Sequence, residues 1–379
     1  MDFGDSKLFT RWRDPRSGVV SYILAKRAAP WQQAFYFTNP NMTRDGRYLY
    51  FYAGFPPSPG YVLGQADLLE GTVQAFQETK FHAASPLIDE ETGAVWFTQG
   101  ASVYRRGAGA SDPVELVGRV ETKALFGGRP IWLMGSHLLP SADGEYLNVD
   151  IEAGDTWHAG AMEIATGRYE VWQSFDVRYN HAQFSPTDPD LQMIAQDWWI
   201  DQNTGVHRPF KNRIWLVRRG EEAKPIYPES EKTGRMAHEW WARDGRGIWY
   251  VDYELGTEYY DLGSGSTTNV WPDGTCHSHA SADDMLLCGD INTYRNRPEL
   301  PVRVAFFNRH TGKQVDILSD WPLPPAQVFQ RNGLHIGEYH IHPHPQFVLG
   351  DQWIAYTTTV LGQPDVALVR VADLVQLTK

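Results

Sequence analysis

The chain has 379 residues, 42% hydrophobic and 21% charged, which excludes intrinsic disorder and provides for a sizeable core. A formal net charge of −12 argues against general binding of nucleic acid or an anionic membrane, since both need a broad basic surface. The 15 Trp, 18 Tyr and 17 Phe, with 34 Gly and 24 Pro scattered without period, fit many short aromatic strands joined by turns.

The start, Met1-Asp2-Phe3-Gly4-Asp5, has neither the basic nor the apolar stretch of a leader, and no apolar run is long enough to span a bilayer. Cys276 and Cys288 are too few for a disulfide framework, so the expectation is a reduced, cytoplasmic protein, a monomer or a weak homo-oligomer.

The first predicted element is a hairpin, residues 8–13 and 19–24 around the turn Pro15-Arg16-Ser17-Gly18. A repeat then follows, in which a polar residue leads through Asp or Asp-Gly into a short aromatic or β-branched strand. Its copies begin at Asn39, His82, His137, His181, His238, His277 and His342 or His344, between 39 and 65 residues apart. Each is followed by one hairpin signal, at Leu69-Glu70-Gly71, Gly107-Ala108-Gly109, Ala165-Thr166-Gly167, Arg219-Gly220, Gly263-Ser264-Gly265, His310-Thr311-Gly312 and Val371-Ala372-Asp373. An inner strand pair plus an outer hairpin in each ~50 residues is the arithmetic of a propeller blade. The reading is therefore all-β: residues 1–379 form one seven-bladed β-propeller, with the N-terminal strand closing the last blade. Because the repeats diverge, eight blades or two smaller β domains stay open.

In that fold the repeated polar position opens onto one end of the central channel, so its histidines would stand in a ring. Any one of them, His82 for example, is better explained as channel lining; the set is not, since Ser or Asn would line a channel without a titrating group. The run Glu338-Tyr339-His340-Ile341-His342-Pro343-His344-Pro345 places three imidazoles on one face if it is extended, and His277-Ser278-His279 repeats that spacing one blade earlier. Two such pairs suit a divalent metal. His238-Glu239-Trp240-Trp241-Ala242 begins like a zinc-protease helix, but its fifth residue is Ala. No nucleophile elbow or phosphate loop occurs.

The segments Asn180-His181-Ala182-Gln183-Phe184-Ser185-Pro186, Asn212-Arg213-Ile214-Trp215, His238-Glu239-Trp240-Trp241, Cys276-His277 through Gly289-Asp290, and His342-Pro343-His344-Pro345 resemble the oligogalacturonate lyases. The resemblance runs over nearly the whole chain. It implies a seven-bladed propeller that cleaves short pectin-derived uronates by β-elimination with a bound divalent ion, typically manganese. Carried over by position, His238 matches the catalytic base and Arg213 an active-site arginine, while His277, His342 and His344 match metal ligands. The family's fourth ligand, a Gln, is here replaced by Tyr339, and His340 or Glu338 could compensate. His137 stands where relatives carry an aromatic residue. His82, His137, His181 and Gln183 are the expected substrate-binding residues, and a small acidic oligosaccharide is the expected partner.

The chemistry suits these residues. The proton at C5 of a 4-linked uronate lies next to an ionised carboxylate, so its removal needs positive charge there and a base nearby. Neutral imidazoles leave a bound cation its full charge, and an imidazole is a competent base near pH 7. The sequence names no clear acid, so water is the expected proton source for the leaving 4-oxygen; Tyr250 and Tyr253 are alternatives, better explained as packing within the blade. Trp198, Trp199, Trp240 and Trp241 could stack on sugar rings, and residues 197–212 form a long polar link that could select substrate length. Two alternatives remain: the same elimination on another uronate such as an ulvan or glucuronan fragment, and a non-catalytic propeller that binds a metal or a peptide.

Overall fold

The computed structural model describes residues 3–56, 58, 60–81, 85–201, 203–227, 235–293, 300–319, 330, 331, 334, 335 and 341–379. Seven antiparallel sheets of four or five strands make the fold a seven-bladed β-propeller, as the repeat count predicts. No helix among the described residues is long and apolar enough to cross a membrane.

One blade shows how the sequence builds all of them. Met236–Trp241, Gly247–Asp252, Gly256–Asp261 and Thr267–Trp271 pair in that order. The first two strands are buried at every position, whereas the fourth is largely exposed. Strands covered on both faces read as continuous apolar runs, which is why alternation is weak along the inner strands. The turn between the first two needs glycine: Gly245 has φ +69°, and a Cβ there would lie 2.2 Å from the Thr187 hydroxyl.

Packing divides the chain into two compact units, residues 1–82, 88–94 and 274–379, and residues 83–87 and 95–273. In the first, one core gathers Phe3, Leu49, Phe51, Trp353 and Leu368, and a second gathers Ile23, Phe306, Ile354 and Tyr356. In the second unit, Leu147, Ile151 and Met162 centre one core, Met193, Ile248 and Tyr250 another. The N-terminal strands Phe9–Arg13 and Val20–Leu24 join the sheet of the last blade, with Ser21 opposite Val369 and Ile23 opposite Ala367.

Six of the seven outer-hairpin turns lie where the sequence predicts. The seventh does not: Val371–Leu377 is a helix, because Val371 and Leu374 are spaced to bury one helical face. The 197–212 link is no plain loop either. It contains a small hairpin in which Trp199–Ile200 pairs with His207–Arg208.

The feature that positions the site is a defect repeated in the innermost strands. Between Asn180 and Gln183 the strand advances three residues while its partner advances two, from Ala195 to Met193. The same one-residue bulge falls between Ala237 and Trp240 and between Thr275 and Ser278. A bulge turns side chains out of the pleat and is a frequent neighbour of active sites. His181, His238 and His277 all sit in these bulges. They stand inside the strands, at the breaks.

Candidate active site

In unit one, His277, His342 and His344 are buried and converge, with one nitrogen from each lying within 4.8 Å of the others. Ring centroids are 4.4 Å apart for His277 and His344, and 5.3 Å for His277 and His342. Tyr36 and Phe37 wall the cluster, Tyr36 meeting His344 edge-on at 5.0 Å. Asp290 Oδ1 accepts the His277 backbone N–H at 2.8 Å, and its Oδ2 lies 2.9 Å from His277 Nδ1. An outer carboxylate on Nδ1 leaves Nε2 as the ligating nitrogen, so this donor set fits a divalent metal.

The route to that convergence differs from the expected one. Residues 341–345 lie outside any strand, and His344 has φ +45°, so period-two spacing does not align the histidines. The left-handed residue re-aims His344 instead. His279 leaves the cluster altogether: its Nδ1 accepts the Phe347 N–H at 3.1 Å. Tyr339 and His340, predicted as further ligands, lie outside the described residues, as do Glu338 and the predicted substrate contact His82.

In unit two the centre is Arg213, which is buried. Its Nε and Nη2 meet the two carboxylate oxygens of Glu239 at 3.0 and 3.3 Å, and its Nη1 lies 3.3 Å from Asp197 Oδ1. Nη2 also lies 3.3 Å from His181 Nδ1. Burial alone would raise the Glu239 carboxyl, but the Arg213 charge and the His181 contact outweigh it and hold it down at about 2. Next to this group, His137 packs 4.7 Å from His181 and its Nδ1 meets the Ser85 hydroxyl at 3.1 Å. Burial, then the neighbouring His181 and Arg213, keep its imidazole well below the usual histidine range, so it is neutral at pH 7. Gln183 donates from Nε2 to the Glu239 carbonyl at 2.7 Å and so supports the bulge of the next blade.

His238 holds φ +54° and His181 +57°, left-handed values that a side chain adopts at a cost of about 1 kcal/mol or more. His238 Nε2 meets the Tyr253 hydroxyl at 2.7 Å. Tyr253 is 43% exposed, whereas Tyr250 is fully buried, donates to Glu258 and contacts Tyr227. Burial pushes the Tyr250 hydroxyl far upward, which removes it as an acid.

Sequence reasoning missed Asp290, Glu239 and Asp197 as site residues. Strand register makes the link to Asp290, placing the His277 backbone N–H on an aspartate thirteen residues further along.

No protein-family model and no curated protein sequence matches the chain. Solved structures do. It superposes on an oligogalacturonate lyase in complex with manganese with a TM-score of 0.75, at 19% identity, over 96% of each chain. The oligogalacturonate lyase of Vibrio parahaemolyticus gives the same score and coverage at 17% identity. The chain has the oligogalacturonate lyase fold. At 17% and 19% identity this likeness is one of fold.

Proposed function

We propose that the protein is a metal-assisted lyase that cleaves short 4-linked uronate oligomers by β-elimination. The observation that carries this is the convergence of His277, His342 and His344, with Asp290 behind His277, in a chain that shares its fold with an oligogalacturonate lyase in complex with manganese. A divalent ion, manganese by that likeness, would be held by these three imidazoles and would supply positive charge to the substrate carboxylate.

His238 takes the C5 proton. The C5–H electron pair becomes the C4–C5 double bond as the C4–O4 bond breaks. The left-handed backbone at its bulge carries the His238 imidazole out of the pleat, and strain of this kind collects at functional positions. Arg213 neutralises the carboxylate alongside the metal. Its N–H groups already face Glu239, Asp197 and His181, so the substrate carboxylate takes the place of Asp197 at Nη1. His137 and His181 line the sugar site, and neutral His137 offers hydrogen bonds without adding charge. The proposal requires one bound sugar to reach both His238 and the metal ligands.

The test is to incubate the protein with galacturonate oligomers and manganese and follow the ultraviolet absorbance of the unsaturated product. Absorbance should rise, and His238→Ala should abolish the rise. A flat trace across galacturonate, glucuronan and ulvan oligomers would leave a metal-binding scaffold. The panel extends beyond galacturonate because Tyr339 stands where the resemblance implies a Gln ligand.

A further inference from the structure

Beside the Arg213 group, in the same unit, lies a cleft of about 490 Å³, within the size range of small-ligand sites. On one side stands the hairpin Trp199–Ile200 with His207–Arg208; on the other is the turn that joins Ile151–Ala153 to Thr156–Glu163. Two consecutive residues connect it to the site: Asp197 contacts Arg213, and Trp198 lines the cleft. The backbone N–H of Asp197 donates to the Arg178 carbonyl at 3.0 Å, which fixes the base of the hairpin.

The lining has two chemical characters. Trp198 and Ile200 are 46% and 48% exposed and both line the cleft, so they present apolar surface to it. The Trp198 ring is held by stacking on His207 at 5.5 Å and 23°, so it offers a rigid plate at little entropic cost. Around it are polar groups whose charges do not balance. Asp201 is occupied with Arg208 at 3.2 Å and with the Asn203 N–H, and Asp155 faces Arg129 at 3.7 Å. That leaves Arg178 against both Glu152 and Asp176, an excess of negative charge.

An anionic sugar therefore finds no surplus cation in this cleft. A neutral sugar finds what it needs: an aromatic plate for the C–H face of a pyranose, carboxylates that accept from its hydroxyls and a guanidinium that donates to its oxygens. We propose that the cleft binds a neutral pyranose. It follows that a substrate reaching both places carries a neutral sugar next to the uronate that is cleaved. This second step rests on the lyase reading; the binding itself does not.

Saturation-transfer NMR and calorimetric titration of the full chain with methyl galactoside, rhamnoside, xyloside and glucoside, and with galacturonate, test it without turnover. At least one neutral glycoside should bind in roughly the millimolar range. Trp198→Ala should weaken it about tenfold and Trp198→Phe much less, because an aromatic face remains. Asp176→Lys, on an exposed position, should cause a comparable loss with the fold intact, and galacturonate binding should be unchanged by Trp198→Ala. The proposal is overturned if no neutral glycoside binds, if neither Trp198→Ala nor Asp176→Lys alters the binding, or if galacturonate is the sugar whose affinity depends on Trp198. A lyase assay with no activity would remove the mixed-substrate step and leave the binding result standing.

Discussion

Asp290 grips His277 at two points, taking its backbone N–H at 2.8 Å and facing its ring Nδ1 at 2.9 Å, with both residues fully buried. Its Oδ2 also accepts the His344 backbone N–H at 3.3 Å. One carboxylate thus orders two of the three clustered imidazoles and sets the tautomer of His277.

Asp290→Asn keeps the size of the side chain but removes the charge and half of its accepting capacity. Metal affinity should fall roughly 10- to 100-fold, as it does when other outer carboxylates of histidine ligands are replaced. Calorimetric titration with manganese measures this, and an unchanged affinity would show that Asp290 only holds the backbone.

The left-handed backbone of His238 separates fold from function. At φ +54° glycine is unstrained whereas alanine is not, so His238→Gly should be more stable than His238→Ala by about 1 kcal/mol. Both should be inactive. Denaturant melts of the pair give the difference, and equal midpoints would mean that the bulge relaxes when the imidazole is lost.

If the protein is the proposed lyase, Tyr253 is the group expected to serve the leaving oxygen, since its hydroxyl meets His238 Nε2 and its side chain is partly exposed. The tyrosine would pass its proton to O4 and recover one from the His238 imidazolium. Tyr253→Phe should lower kcat by about 100-fold with KM little changed, and should remove the alkaline limb of the pH–rate profile. A parental profile would assign protonation to water.

Glu239 and Arg213 form a buried ion pair, and breaking one side of such a pair costs about 3 kcal/mol or more. Glu239→Gln should lose about that much stability at pH 7. The Glu239 carboxyl is held down at about 2, below its ordinary 4.5, so its contribution is present above 4.5 and fades as pH falls toward 2. Parent and variant should therefore converge in acid, and a gap that persists at pH 2 would contradict the assignment.

The repeat count was legible in the sequence because every copy pairs a polar residue with a turn and an apolar strand, two signals that act locally. The bulges were not. A bulge depends on register against the partner strand, which no single strand encodes, and the sequence of His181 or His238 carries no glycine to announce a positive φ. The three clustered histidines were therefore named by spacing and resemblance, while the geometry behind them came from elsewhere: from a left-handed His344 in place of an extended His-Pro-His, and from an aspartate on the next strand. Glu239 was in view as part of a failed zinc motif, but its partner Arg213 lies 26 residues away in sequence, beyond the reach of local patterns. The helix at Val371–Leu377 is not legible because Val371-Ala372-Asp373 resembles a seventh hairpin turn, whereas Val371 and Leu374 are spaced to bury one helical face.

Asp365 gives a prediction about stability alone. It opens the strand Asp365–Arg370, to which Val20–Leu24 is joined, and its carboxylate contacts Arg27 and receives Gln32 Nε2 at 3.4 Å. Burial raises its carboxyl to about 7, against the opposing pull of Arg27 and Gln32. Because the folded pKa is the higher one, the folded chain holds a proton between about pH 4 and pH 7 that the unfolded chain has released. This contribution to stability is complete below the unfolded value of 3.8 and is lost as pH rises through about 7. Asp365→Asn keeps a neutral side chain of the same shape at every pH. Relative to the parent it should be little changed at pH 4 and more stable at pH 8, with most of the change falling between pH 5 and 7. Denaturant midpoints of the two proteins across that window provide the measurement. If the difference instead favours the parent as pH rises, the Arg27 pairing outweighs burial and the carboxyl is ionised in the folded chain well below pH 7.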